Sequence, residues 1–525
     1  MQNYELTIDK FIDHAAKWFG QREIVSATDA GIPARTNYAE LRERSSRLSG
    51  ALTALGVGAG DRVATLAWNT RHHLEIYYAI MGMGAVCHTL NPRLVPAQLA
   101  AMINEAEDGI VAVAADLLPL LYEVLPSCAD VRHIVVLDAA LDGNGDARAI
   151  GLEALLSDRG LHREWGNFDE RSPAGLCYTS GTTGRPKGVI YTHRSNYLHT
   201  LRALQADAVA LTDHDTLLLA VPMFHANGWG LPFAAPAAGT KLVLPGRNLD
   251  GASLARLIEQ EHVTVAVGVQ TVWLTLADHL EATGSSLTSL ERIVIGGSHC
   301  PEALIARLEA TLGARVQTSW GMTELSPIGT LSPPGSAAVI GAAGRPPLGL
   351  DLKLTDAEGI ALLQQRETVG HLKVKGASVI KRYFRADEDA LDAEGYFDTG
   401  DLASIDAAGN LTLCGRAKDL IKSGGEWINP AEIETIVGAH PSVRHVAVIA
   451  RPDPKWGERP LLIVERNEAI EEVDLLDLLR SEIAAWMIPD QVIEVAAMPL
   501  AATGKIDKMR LRADYADGVL LAQAA

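Results

Sequence analysis

YTSGTTGRPKG, from Tyr178 to Gly188, gathers hydroxyl side chains, three glycines, a proline and a lysine in one run with no carboxylate. Backbone N–H groups in a glycine-rich turn can converge on an anion, and Ser and Thr hydroxyls add donors. Lys187 adds a compact positive charge. The stretch is therefore built to hold phosphate. It does not have the spacing of the nucleoside-triphosphatase P-loop, GxxxxGK[ST]. Counted from Gly181, Pro186 stands at the second glycine position, and Gly188 follows the lysine where Ser or Thr is required. The apolar runs GLCYT before it and GVIYTH after it predict a strand–loop–strand setting rather than a free surface turn.

The surrounding chain sets the scale. Its 525 residues exceed what one hydrophobic core serves, so two or more domains are expected. With 48% hydrophobic and 21% charged residues, the composition is that of a globular protein. A net charge of −19 leaves no general basic surface, and no nucleic-acid module is visible, so nucleic acid is not an expected partner. Five scattered cysteines without a CxxC pair argue for a reducing compartment, read as cytoplasmic, and against a zinc site or disulfide framework. The N-terminal segment reads as an amphipathic helix with no leader pattern. The uncharged interval between Asp215 and Lys241 is broken by Pro222, Pro232 and Pro236 and predicts buried strand and loop, not a membrane span.

Helical and strand patterns alternate over most of the chain, which predicts α/β layers. VRHIVVLD (131–138), VTVAVGV (263–269) and LERIVIGG (290–297) read as strands, and ASLARLIEQEH (252–262) as a helix. Beyond residue 350 the pattern changes to short antiparallel strands, HLKVKGASVIKRYF and NLTLCGRAKDLIKSGGEWI. Asn429, Pro430 and Glu432 then mark a helix start. A compact terminal α+β domain from about residue 417 follows.

Further motifs extend the reading. SWGMTE (319–324), YFDTGD (396–401), GRAKDLIKSGGEWINPAEIE (415–434) and PLAATGKIDKMRLR (499–512) follow the phosphate loop in that order. Together the set resembles the adenylate-forming enzymes, which include acyl-CoA synthetases, firefly luciferase and non-ribosomal peptide synthetase adenylation domains. VPMFHANGWGLP and GGEWINP resemble the medium- and long-chain and methylmercaptopropionate acyl-CoA synthetase group. The resemblance implies a large N-terminal part (1–416) of two αβ-layered lobes and a distorted β-barrel, followed by a small mobile C-terminal domain (417–525). It implies an acid–CoA ligase that forms an acyl-AMP and pyrophosphate from a carboxylic acid, ATP and Mg²⁺, then passes the acyl group to coenzyme A.

Carried onto this sequence, the resemblance assigns Thr179, Ser180, Gly181, Thr182, Thr183, Gly184 and Lys187 to the ATP phosphates. Glu324 is implied as the Mg²⁺ ligand and Thr323 as a contact to the α-phosphate. Gly297, Ser298, Ser319, Trp320, Gly321 and Met322 are placed around the adenylate, with Trp320 stacking on adenine. Asp401 is implied to accept the ribose hydroxyls, and Arg416 to reach ribose or phosphate. Lys505 is the implied catalytic lysine of adenylation. Lys418 is the hinge about which the small domain turns to bring Lys422, Gly424, Gly425, Glu426 and Trp427 to the thioester step. The acyl pocket is implied at His225, Gly228, Trp229, Gln270 and His299. An Asp near the position of His225 would suit an amino-acid substrate, and its absence argues against one. Gly228, Gln270 and His299 depart from the usual Ala, Pro and small residue, so a polar or ring-bearing acid competes with plain medium-chain acids. A different acceptor, such as oxygen or a carrier-protein thiol, and a non-catalytic nucleotide-binding homologue are the competing functions. Dimers are common in the family, and nothing in this sequence establishes one.

Overall fold

The computed structural model describes residues 1–28, 31–141, 145–179, 186–297, 300–335, 339, 341–440, 442–466, 472–501 and 505–516. Among these, the strands form four sheets. One has seven strands, in the spatial order 149–151, 133–136, 110–113, 62–66, 86–89, 173–178, 188–192. A second has eight, in the order 328–331, 315–321, 292–296, 265–269, 216–219, 241–244, 23–26, 34–37. The N-terminal strand Glu23–Ser26 thus lies in the eight-stranded sheet before the chain crosses to build most of the seven-stranded one.

The apolar runs form strands because both faces of the eight-stranded sheet are covered, which lifts the need for alternation. Leu217, Leu219, Val265, Val267 and Val294 point into a core shared with Val111 and Leu176 of the other sheet. Leu218, Ala266, Ile293 and Ile295, one residue out of phase, point to the opposite face. There they meet the helices Gly251–Glu261, Gln270–Thr283 and Glu302–Leu312. The predicted strands at 131–138, 263–269 and 290–297 appear as His133–Val136, Val265–Val269 and Arg292–Gly296.

One stretch departs from its reading. The uncharged interval after Asp215 contains a strand, Thr216–Leu219, but also a helix, Leu231–Ala238, where only strand and loop were expected. Pro232 falls in its first turn, where no amide is required. Pro236 cannot donate to the carbonyl of Pro232. The Tyr78 hydroxyl donates to that carbonyl instead, at 2.8 Å, so tertiary packing supplies the bond the sequence could not.

The distorted barrel of the sequence reading is an antiparallel four-stranded sheet, Leu350–Thr355, Val369–Gly376, Phe397–Ile405 and Leu411–Arg416. Bridges Leu331–Arg345 and Ala342–Thr412 tie its end to the eight-stranded sheet. After Arg416 the chain enters a five-stranded sheet with its own apolar clusters around Ile433, Val448 and Leu479 on one side and Ala447, Leu461 and Leu511 on the other. Asn429 caps the helix Pro430–Gly438 through Ala431 N–H. All five cysteines are free thiols. No helix of the described residues is long and apolar enough to cross a membrane.

Candidate active site

Four adjacent parallel strands, Thr216–Leu219, Val265–Val269, Arg292–Gly296 and Arg315–Gly321, end at one side of the eight-stranded sheet. In an open parallel sheet the strand carboxyl ends leave a crevice where loops can meet a ligand. Here Ala220 and Val221, Val269, Gly297 and the run Ser319–Gly321, which lie at or just past those ends, line a cavity of about 710 Å³. Thr179 and Lys187 reach it from the loop between the strands Pro173–Tyr178 and Gly188–Thr192. Thr399, Gly400 and Arg416 come from the four-stranded sheet, and Lys505 from the C-terminal domain.

Each side chain has a local reason for its place. The strand Arg315–Gly321 is irregular at Trp320 and Gly321, where its register against the neighbouring strand shifts. A Cβ on Gly321 would lie 2.2 Å from the carbonyl oxygen of Pro327, so only glycine permits that approach. The bend leads into Thr323 and Glu324, and the Tyr191 hydroxyl fixes the Thr323 carbonyl at 2.8 Å. Thr179 N–H donates to the Lys187 carbonyl at 2.9 Å and Lys187 N–H to the Thr179 hydroxyl at 3.2 Å, which closes the base of the phosphate loop.

Glu324 is buried, and desolvation raises its pKa against the opposing hydrogen bond from Tyr383. The Tyr383 hydroxyl donates to its Oε1 at 2.8 Å, and the Lys187 ammonium lies 4.7 Å from the Tyr383 ring. Tyr383 therefore links the loop lysine to the carboxylate. Sequence reading missed this residue: it lies in KRYF, which reads as the end of a strand, and no spacing marks the contact.

Lys505 stands on a turn closed by the Ala501 N–H bond to its carbonyl and by the bridge Leu500–Ile506. Lys505 is exposed and lines the cavity, where nearby protein still partly desolvates it. This desolvation lowers its pKa, Arg416 lowers it further, and Asp401 and Glu324 pull the other way. Its Cε sits 3.6 Å from where a Cβ on Gly297 would be.

Asp401 lies behind the wall rather than on it. The Trp320 indole donates to its Oδ2 at 3.0 Å and Arg416 Nε approaches Oδ1 at 2.9 Å. Arg416 also donates to the Thr399 carbonyl at 2.8 Å. Trp320 is 6% exposed: it packs in a core cluster and also lines the cavity.

Elsewhere the lining includes apolar side chains: Val221, Phe224, Trp229, Leu249, Val269 and Val272. His225 lies there too, its pKa lowered to about 4 by burial first and then by Lys505 and Arg93. Two residues expected in the acyl pocket do not line this cavity. Gln270 is not on the wall. The helix Gln270–Thr283 presents Thr271, Val272 and Thr275, which share one face at helical spacing, and Gln270 falls outside that face. Gly228 is also off the wall: a Cβ there would meet Pro232 and Leu219, not the cavity.

Lys418 lines the cavity, but Lys422, Gly424, Gly425, Glu426 and Trp427 do not, and Trp427 is 57% exposed. Ser180, Gly181, Thr182, Thr183, Gly184, Ser298 and His299 lie outside the described residues. Met322 lines the cavity beside Glu324. Asn91, Arg93 and Thr275 are wall residues with no motif in the sequence to announce them.

The site is a mixed-charge crevice at parallel strand ends that Lys505 lines from the C-terminal part of the chain. Comparison with known proteins names the family. The model of the AMP-binding enzyme family matches residues 12–384, and that of the AMP-binding enzyme C-terminal domain matches residues 432–505. The chain is 43% identical to a medium-chain-fatty-acid–CoA ligase of Ectopseudomonas oleovorans, covering 99% of this chain and 98% of that protein. It is 42% identical to a 3-methylmercaptopropionyl-CoA ligase of Ruegeria lacuscaerulensis, covering 99% of each. The solved o-succinylbenzoate coenzyme A synthetase of Bacillus subtilis, in complex with ATP and magnesium ion, superposes with a TM-score of 0.81 at 26% identity, covering 96% of this chain and 99% of that one. The protein belongs to the AMP-binding enzyme family.

Proposed function

We propose that the protein is an ATP-dependent acid–CoA ligase acting on a medium-chain, thioether, or aromatic or cyclic carboxylic acid. The observation that carries this reading is the meeting of Lys505 and Lys187 in one cavity whose lining also includes the apolar side chains Val221, Phe224, Trp229, Leu249 and Val272. A carboxylate and ATP repel each other, so positioning and charge neutralisation must supply most of the catalysis.

In the first half-reaction a carboxylate oxygen of the acid attacks the α-phosphorus of ATP. The new O–P bond forms as the bond to the pyrophosphate oxygen breaks, and the products are acyl-AMP and pyrophosphate. Lys187, with Thr179, Ser180, Thr182 and Thr183, grips the departing phosphates. Lys505 holds carboxylate and α-phosphate together as charge shifts between them. Thr323 contacts the α-phosphate. Arg416, on the cavity wall and held from behind by Asp401, reaches the ribose or the phosphate.

Mg²⁺ fits this site only as a companion of ATP. Among the described residues no cluster of three or more His, Cys, Asp or Glu could hold a metal alone. Glu324 is a single buried carboxylate beside the phosphate loop, which suits an ion that takes one or two carboxylates and substrate phosphates. When bound, the ion would neutralise phosphate charge. Tyr383 orients the carboxylate for it.

In the second half-reaction the CoA thiolate attacks the acyl carbonyl, a C–S bond forms, and AMP leaves. The loop with Lys422, Gly424, Gly425, Glu426 and Trp427 is away from the cavity while Lys505 occupies it. We assign its arrival to rotation of the C-terminal domain about Lys418.

The test is pyrophosphate release from the purified protein with ATP, Mg²⁺ and a panel of acids, followed by acyl transfer to CoA or to a carrier-protein thiol. Release that depends on the acid, with CoA as the better acceptor, is expected. Absence of release with every acid, or transfer only to the carrier protein, would contradict the reading.

A further inference from the structure

Ala226, Asn227, Gly228, Trp229 and Gly230 all have left-handed backbone, with φ of 45°, 53°, 56°, 57° and 73°. For L-residues such a conformation is strained, and runs of it are rare because single residues, not turns, are the norm. Three of the five are not glycine. A Cβ on Gly230 would lie 2.6 Å from His199 Nδ1, so that residue answers to packing as well. Something must over-determine the turn.

That something is Asn227. Its side chain is fully buried and takes contacts from three separate elements. The Tyr77 hydroxyl, on the helix Arg71–Gly82, donates to its Oδ1 at 2.5 Å. Its Nδ2 donates to Asn196 Oδ1, on the helix His193–Ala203, at 3.4 Å. The Cys177 thiol, on the strand before the phosphate loop, lies 3.8 Å from Oδ1. Asn also tolerates left-handed backbone better than most residues. The turn carries the cavity's two most distinctive acyl-end side chains at its borders. His225 precedes it. Trp229 sits within it, 9% exposed, and its indole lies 2.8 Å from where a Cβ on Gly296 would be.

We propose that Asn227 is a positioning residue for acid selection: its amide, seated on Tyr77, fixes the left-handed turn that sets Trp229 against Gly296 as the acyl-end wall. The inference rests on the acid–CoA ligase reading above. It makes Asn227 and Tyr77, neither of which lines the cavity, determinants of which acid fits.

Pyrophosphate release is measured for wild type, Asn227→Gly and Tyr77→Phe with a short and a long or ring-bearing acid, varying acid and ATP separately. Glycine keeps access to left-handed backbone while removing the anchor. Asn227→Gly should lower kcat/KM for the wild type's better acid about tenfold and change the ratio between the two acids, with KM for ATP within about twofold. Tyr77→Phe should do the same about threefold, and it decides the matter if Asn227→Gly does not fold. In a Trp229→Ala background, Asn227→Gly should add no further change in the acid ratio, because the two act through one wall. Equal effects on acid and ATP, an unchanged acid ratio in the folded variants, or additivity with Trp229→Ala would overturn the inference. A wild type that releases no pyrophosphate with any acid would overturn the functional reading and this inference with it, whereas an active wild type with undiscriminating variants overturns the inference alone.

Discussion

The two ends of the cavity are built in different ways. At one part of the cavity, charged and hydroxyl side chains come from several separate elements: Thr179 and Lys187 from the loop between two strands, Thr323 and Glu324 from the turn after a strand, Arg416 from a strand end, and Lys505 from the C-terminal part of the chain. At the acyl part, Thr271, Val272 and Thr275 on one face of the helix Gln270–Thr283, and Trp229 on a left-handed turn, supply the walls. The difference is one of tolerance. A phosphate must be met by donors at fixed points, so the residue types and spacings are tightly constrained. An apolar body needs only volume and shape, which many sequences can provide.

If this division holds, substitutions at the phosphate end should slow adenylation without redirecting it, and those at the acyl end should redirect without disabling. The largest expected effect is that of Lys505→Ala, a loss of about 10²–10³ in acyl-AMP formation, the scale of removing one donor from a developing charge. Thioester formation from supplied acyl-AMP should be nearly intact. Equal loss of both half-reactions would show that Lys505 serves more than the first. Lys187→Ala should cost adenylation about 10–10² in rate, since a gripping charge is lost but Lys505 remains. Thr275→Leu, which adds bulk at the acyl wall, should lower kcat/KM for the bulkiest acids about tenfold and leave KM for ATP unchanged. A matching rise in KM for ATP would mean the two ends are one.

Tyr383→Phe should raise the Mg²⁺·ATP requirement only a few-fold, because it removes one hydrogen bond to Glu324 and keeps the ring under Lys187. The smallest effect links the ends. His225 has its pKa lowered to about 4 by burial, with Lys505 adding to the repulsion of its charged form. Lys505→Ala should therefore raise the His225 titration midpoint, seen by NMR, while leaving it below the ordinary histidine value. The sign for stability follows. The fold favours neutral His225, so its contribution is complete above about pH 6.5 and is lost as the pH falls toward 4. His225→Gln should lose less stability than wild type over that interval in urea denaturation.

The same contrast governs what the sequence could reveal. The buried strands were legible because Val265–Val269 and Arg292–Gly296 are apolar on both faces. The phosphate-end residues were legible because their motifs have fixed order and spacing. The helix Leu231–Ala238 was not, because Tyr78, far away in sequence, makes good the bond Pro236 cannot. Gln270 was assigned to the acyl wall by position, but the helix phase turns Thr271, Val272 and Thr275 inward instead. Tyr383 and Asn227 were invisible for a similar reason: each matters through a partner from another element, and no local pattern encodes that meeting.

The division of the cavity is tested most directly by the ratio of kcat/KM for a short and a bulky acid, measured by pyrophosphate release in wild type, Lys187→Ala and Thr275→Leu at saturating ATP. The ratio should be unchanged in Lys187→Ala, however slow the enzyme becomes, and should move by about tenfold in Thr275→Leu. A changed ratio in Lys187→Ala, or a constant one in Thr275→Leu, would contradict the account.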